Sequence, residues 1–181
     1  MSRRLEQLIL ERSVRHGDFV LASGQRSSYY IDCRLTTMSA EGMVLIGREG
    51  LAALRGAGWK PSAVGGLTMG ADPVAYAIAA ASFTDQPAID AFSVRKDPKE
   101  HGTRRLIEGN FTPGAPVVVI EDVITSGNSA RRAIAAVEDG GGKVLGVLAV
   151  VDREQGGRDL LEQAGYPVVA LTSATALGLK K

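Results

Sequence analysis

Short, nearly continuous apolar runs rich in β-branched residues recur along this 181-residue chain, and stretches of helical period lie between them. The runs cover residues 62–66, 89–94, 116–122 and 143–152; the helix-period stretches cover 40–54, 73–81, 129–138 and 159–163. A strand with one wet face alternates polar and apolar residues, whereas a strand covered on both faces reads as one apolar run. Unbroken runs alternating with helices therefore predict right-handed crossovers and an α/β fold: an open, mainly parallel twisted sheet flanked by helices. Gly140, Gly141 and Gly142 stop the third of these helices. At the N-terminus, Leu5, Leu8, Ile9 and Arg12 fall on helical spacing and predict an amphipathic helix that docks on the body. The length matches one domain spanning residues 1–181.

The charge balance narrows the function. A formal net charge of +1 excludes a broad cationic footprint for nucleic acid or for an anionic membrane, so any electrostatic role must be local. The longest apolar stretches fall short of the ~18 residues a membrane span needs. A single cysteine, Cys33, can build neither an intramolecular disulfide nor a cysteine-based zinc site, which favours a reducing, cytoplasmic setting. Cys33 and His16 are expected to be structural.

One segment interrupts the alternation. Residues 95–110 show neither strand nor helix period, and residues 95–105 hold five Lys/Arg against two Asp/Glu. Long structureless loops are commonly functional or solvated. A solvated surface loop and an anion-binding lid at about 95–109 both fit this composition.

The most informative run is VVVIEDVITSGNS, residues 117–129. Four apolar β-formers lead into Glu121 and Asp122, then a small polar loop, then a helix expected to begin near Ser129. Ligands of open α/β sheets bind beyond the carboxyl ends of the strands. Backbone N–H groups and a helix N-terminus in TSGNS would cradle a phosphate there, with Gly127 permitting close approach. Two acids beside a phosphate site make sense if a ribose lies between them, because carboxylates accept hydrogen bonds from its vicinal hydroxyls. The strand-end position puts both acids at a solvent-facing edge. Neither a GxxxxGK[ST] loop nor a GxGxxG fingerprint occurs.

Residues 117–129 resemble the signature of type I phosphoribosyltransferases, which holds 5-phosphoribosyl 1-diphosphate (PRPP). Further stretches resemble the orotate-specific members of that family: LASGQRSSYYIDCR (21–34), GGLTMGADPVA (65–75), AFSVRKDPKEHG (91–102) and VVDREQGG (150–157). The resemblance implies a type I phosphoribosyltransferase fold with a small N-terminal hood, and the conversion of orotate and PRPP to orotidine 5′-monophosphate and diphosphate in pyrimidine biosynthesis. It implies PRPP contacts from Arg95, Lys96, Lys99 and His101 and from Glu121, Asp122, Val123, Ile124, Thr125, Ser126, Gly127, Asn128 and Ser129. Catalytic roles fall to Lys99, with Arg95 and His101 beside it, and orotate contacts to Thr125 and Arg153. Mg2+ is expected to be held mainly by substrate oxygens, with no dedicated protein ligand. A homodimer with shared active sites is implied, in which Arg95, Lys99 and His101 serve the partner's site and Lys96 its own.

An arginine just after a strand can face the crevice and pair its fork with the orotate carboxylate. Tyr29 and Tyr30 could pack within a strand or line the base pocket. Ala22 and Gly70 stand where many relatives carry lysine, which shifts weight onto the basic lid and onto backbone donors in residues 68–71. Two rival functions remain at this point, transfer to another base and a PRPP-sensing regulator without catalysis. Near-neutral charge and the lack of a spare domain weigh against the regulator.

Overall fold

The computed structural model describes residues 2–20, 26–97 and 106–179. Helix α1 (Arg3–Ser13) leads into an antiparallel hairpin of β1 (Val14–Val20) and β2 (Arg26–Ile31), which forms a small sheet of its own. Two helices follow, α2 (Arg34–Thr37) and α3 (Ala40–Gly56), and then β3 (Ala63–Leu67), α4 (Ala71–Thr84) and β4 (Asp90–Val94). The chain continues through β5 (Ile107–Gly109), β6 (Pro116–Ile124), α5 (Asn128–Asp139), β7 (Lys143–Asp152), α6 (Gly157–Gln163) and β8 (Val168–Ser173).

The main sheet runs β5-β4-β3-β6-β7-β8, parallel except for β5, which pairs antiparallel with β4. Its strands divide their side chains between two cores. Val118, Ile120, Leu148 and Val150 pack towards α3 and α4, with Leu5 and Ile9 of α1 in the same cluster. Val117, Val119, Val147 and Ala149 pack towards α5 and α6. Burial on both faces is what the unbroken apolar runs anticipated. Serines cap two of the helices: Leu5 N–H donates to Ser2 Oγ at 3.3 Å, and Gly42 N–H to Ser39 Oγ at 3.1 Å.

The structure corrects the reading of residues 95–110 as lacking any element. Ile107–Gly109 forms the edge strand β5, and Arg95 N–H donates to Leu106 O at 2.8 Å, extending the pairing. A three-residue edge strand is too short to show a period, so the sequence carried no signal for it. β6 also runs on to Ile124, past the acid pair. Neither α2 nor β8 was anticipated; β8 covers the far edge of β7.

Strand order decides where a ligand can sit. From β3 the chain winds outward to β4 and then returns to the other side of β3 as β6. The connections leave in opposite directions there, opening a crevice between the carboxyl ends of β3 and β6. That crevice lies between residues 68–70 and residues 121–129.

Candidate active site

The two acids are not at a solvent-facing edge. Because β6 continues through Ile124, Glu121 is only 7% exposed and Asp122 is half-buried. Burial, reinforced by the neighbouring Asp122, pushes the Glu121 carboxyl well above its usual range, while the Ala130 N–H in the first turn of α5 partly offsets this. Burial raises the Asp122 carboxyl as well, opposed by its contact with Glu121, the Val123 N–H and the charge of Arg34. Both shifts run towards the protonated form, and a ligand that supplies hydrogen-bond donors would favour the charged form instead. Asp122 Oδ1 accepts the Val123 N–H at 2.9 Å, and the carboxylate lies directly over Gly70. A Cβ at Gly70 would stand 2.6 Å from Oδ1, so this turn and the carboxylate share one small space.

The loop after the acids is shaped as an anion cradle. Gly127 is left-handed (φ 76°) and buried, and α5 starts immediately after it without a side-chain cap or an acidic residue in its first turn. With the Ala130 N–H turned to Glu121, the N–H groups of Asn128 and Ser129 are left for an external acceptor, and the helix dipole favours a negative one. Ser126 and Asn128 are exposed, and Val123, Thr125 and Ser129 are half-buried. Ile124 places its side chain in the core, and its carbonyl accepts the Arg153 N–H at 2.9 Å. The start of α6 supports the loop from behind: Gly157 N–H donates to Thr125 O at 3.1 Å, and a Cβ on Gly157 would come within 2.4 Å of that oxygen.

Arg153 follows β7 at the same sheet edge and is 4% exposed. Its guanidinium lies over the Tyr29 ring, 4.8 Å from the centroid, and Nη2 donates to Ser27 Oγ at 3.2 Å. Among the described residues Nε is buried and has no hydrogen-bond partner. An unpartnered buried donor costs about 1–3 kcal/mol, so this group is primed for an acceptor brought by a ligand. Of the two tyrosines left open by sequence, Tyr29 is buried against Arg153, while Tyr30 is exposed and packs on Phe19.

Arg95 and Lys96 leave β4 at the same carboxyl edge, both exposed. Arg132 of α5 donates from Nη2 to Lys96 O at 2.6 Å, tying the root of the basic segment to the cradle helix. Lys99 and His101, and with them Ala22, lie outside the described residues. Of the two residues set aside as structural, Cys33 is buried in the core and His16 is exposed on β1. Among the described residues no three His, Cys, Asp or Glu side chains converge as a metal site. Nor is any described helix long and apolar enough to cross a membrane.

The crevice therefore assembles the acid pair, the cradle, Arg153 and the base of the basic segment, as the motif suggested. It also brings in Arg132, for which no sequence pattern spoke, and gives packing and hydrogen-bond roles to Ser27, Gly70 and Gly157, which the sequence placed only within the matching stretches.

The chain's relatives agree with this geometry. Residues 40–164 match the model of the phosphoribosyl transferase domain family. The orotate phosphoribosyltransferase of Aquifex aeolicus is 46% identical over 177 residues, covering 96% of each chain. The solved structure of the Mycobacterium tuberculosis H37Rv orotate phosphoribosyltransferase in complex with inorganic phosphate superposes with a TM-score of 0.84 at 43% identity, covering 97% of both chains. The same protein in complex with PRPP gives a TM-score of 0.80 at 41% identity, covering 97% of this chain and 98% of that one. With the β3/β6 crevice, the uncapped cradle helix and a buried arginine beside it, the chain belongs to the phosphoribosyltransferase family and, within it, to the orotate phosphoribosyltransferases.

Proposed function

We propose that this crevice transfers the 5-phosphoribosyl group of PRPP to orotate, releasing diphosphate and forming orotidine 5′-monophosphate in de novo pyrimidine synthesis. The observation that carries the reading is the juxtaposition of an uncapped cradle, an acid pair of which Glu121 is buried and Asp122 half-buried, and a buried arginine with a spare donor at one strand edge. Residues 125–129 take the 5-phosphate on backbone N–H groups and hydroxyls. Glu121 and Asp122 accept the ribose hydroxyls, which supply the donors that their burial otherwise denies them. Arg153 and Thr125 take the orotate carboxylate and ring edge. Transfer moves the C1–O bonding pair onto the diphosphate as the orotate ring nitrogen bonds to C1 and gives up its proton, which passes to the departing diphosphate or to solvent.

Negative charge grows on the diphosphate as that bond breaks. Cations aimed there bind the transition state more tightly than the ground state. Lys99 has this role, supported by Arg95, Lys96 and His101 and by backbone N–H groups of residues 69–71; the Thr68 N–H is already committed to Val94 O at 2.8 Å. Arg132 holds the Lys96 carbonyl and so fixes where the basic segment, residues 95–109, leaves the sheet. Glu121 and Asp122 are hard oxygen donors of the kind Mg2+ accepts, but two carboxylates are too few for a protein cage. The ion would therefore be held mainly through diphosphate and ribose oxygens, where it neutralises the leaving group.

The active form in this reading is a homodimer in which Arg95, Lys99 and His101 reach the partner's diphosphate. Its support is a groove of about 660 Å3 between α3 and α4, in which Met43, Val44 and Tyr76 remain exposed. Each subunit is one domain over residues 1–181, and the buried, unpaired Cys33 suits a reducing cytoplasm.

The reading is tested by incubating the protein with PRPP, Mg2+ and a panel of free bases while following orotate absorbance. Loss of orotate absorbance with formation of the nucleotide is expected. Turnover of a purine without turnover of orotate would replace the base assignment. Turnover of no base would leave a PRPP-binding protein without transferase activity.

A further inference from the structure

Arg153 is held in a way that its place in the sequence does not explain. Alternation along β2 puts Ser27 and Tyr29 on one face of the hairpin, and that face closes over the arginine. Ser27 Oγ donates to Tyr29 O at 2.7 Å and accepts the Tyr29 N–H at 3.4 Å, which leaves a lone pair to accept from Arg153 Nη2 at 3.2 Å. The Tyr29 ring covers one face of the guanidinium at 4.8 Å. On the chain side, Arg153 N–H is pinned to Ile124 O, and Glu154 turns sharply away in a left-handed conformation (φ 55°). Glu154 N–H donates to Asp152 Oδ1 at 2.8 Å, and Glu154 Oε2 accepts the Thr175 N–H at 2.7 Å. A left-handed non-glycine residue is costly and persists only where its surroundings over-determine it. The backbone, one terminal nitrogen and one face of the guanidinium of Arg153 are therefore all fixed before any ligand arrives. Nε is left without a partner among the described residues, beside a cavity of about 400 Å3 lined in part by Tyr29, Arg153 and Thr175.

We propose that Tyr29 and Ser27 form a clamp that positions Arg153 as the reader of the base carboxylate, making Tyr29 a specificity-determining residue that does not itself touch the substrate. The inference rests on the assignment of orotate to Arg153. A flexible arginine loses side-chain freedom on pairing with a carboxylate, whereas a clamped one has already lost it in folding. The ring also shields one face of the cation from water without offering a competing acceptor.

The test is steady-state kinetics on the full chain with orotate and PRPP varied separately. Removing a desolvated cation–π contact converts to about a five- to thirtyfold rise in the orotate KM for Tyr29→Leu, with the PRPP KM within about twofold of the parent. Tyr29→Phe keeps the aromatic face and should restore the parental ratio of the two constants. Should Tyr29→Leu fail to fold by circular dichroism, Ser27→Ala removes the Nη2 acceptor from a half-buried site and should shift the same ratio in the same direction. The clamp is refuted if the folded variant leaves the orotate KM unchanged, if both KM values rise together, or if Tyr29→Phe behaves like Tyr29→Leu. Arg153→Ala separates the two levels. A selective orotate defect there with parental Tyr29→Leu and Ser27→Ala rejects the clamp alone, whereas no selective defect in Arg153→Ala rejects the base assignment beneath it.

Discussion

Replacing Gly70 with alanine should uncouple activity from stability. Gly70 has φ −63° and ψ −42°, a helical conformation that alanine adopts freely. At such a position the substitution stabilises the fold by about 0.4–1 kcal/mol, through the lower entropy of the unfolded chain. The obstacle is Asp122. The added Cβ would lie 2.6 Å from Oδ1, 2.7 Å from Cγ and 2.8 Å from Oδ2, and ordinary contact starts only at 3.4 Å. The carboxylate must withdraw by about 0.8 Å, a displacement that in a packed interior is met by side-chain rotation. Rotation breaks its bond from the Val123 N–H and swings the oxygens away from the ribose. A hydrogen bond to a charged group is worth about 1.5–3 kcal/mol, so losing one to PRPP lowers kcat/KM for PRPP about tenfold to a hundredfold. The lost Val123 contact outweighs the entropic gain, leaving stability about 0.5–2.6 kcal/mol below the parent, too little to unfold a domain of this size. Orotate absorbance at varied PRPP measures the first quantity, and thermal unfolding the second. Parental PRPP kinetics in a folded Gly70→Ala protein would refute the assignment of Asp122 to the ribose.

The buried acid gives a pH signature. The folded protein holds the Glu121 proton to higher pH than the unfolded chain, so this group's stabilising contribution is complete below about pH 4.5 and is lost as pH rises through the raised value. Glutamine cannot ionise, so the melting temperature of Glu121→Gln should gain on the parent between about pH 4.5 and pH 8; a constant difference across that range would contradict the burial argument. For the shared site, mixing Lys99→Ala and Asp122→Ala under verified subunit exchange should restore about a quarter of parental activity, since half the dimers are mixed and each has one intact site. With exchange confirmed by mass-tagged subunits, a mixture that stays inactive assigns the basic segment to its own subunit.

What the sequence determined by itself is whatever depends on local pattern. The unbroken runs at 116–122 and 143–152 could only be doubly covered strands, and the helix-period stretches between such runs required crossovers, so the parallel sheet followed. The 117–129 motif specified its own chemistry because strand, acids, glycine and helix start are contiguous: a strand end, a left-handed Gly127 and an uncapped α5 are consequences of local sequence. Arg153 could be placed for the same reason, immediately after an apolar run.

Tertiary structure decided what depends on residues far apart in the chain. The edge strand β5 is set by pairing with β4 rather than by any period of its own. The depth of Glu121 depends on β6 continuing two residues beyond Asp122 and on α5 folding back over it, so a strand-end position misjudged its burial. Gly70 against Asp122, Gly157 against Thr125, and Ser27 and Tyr29 against Arg153 join segments separated by tens of residues or more. Such contacts leave no period or motif, because the partner of each residue is chosen by strand order. The sequence could name the groups that do the chemistry, but how deeply they are buried and what holds them in place arise only when β3, β6, β7 and the hairpin meet at one edge.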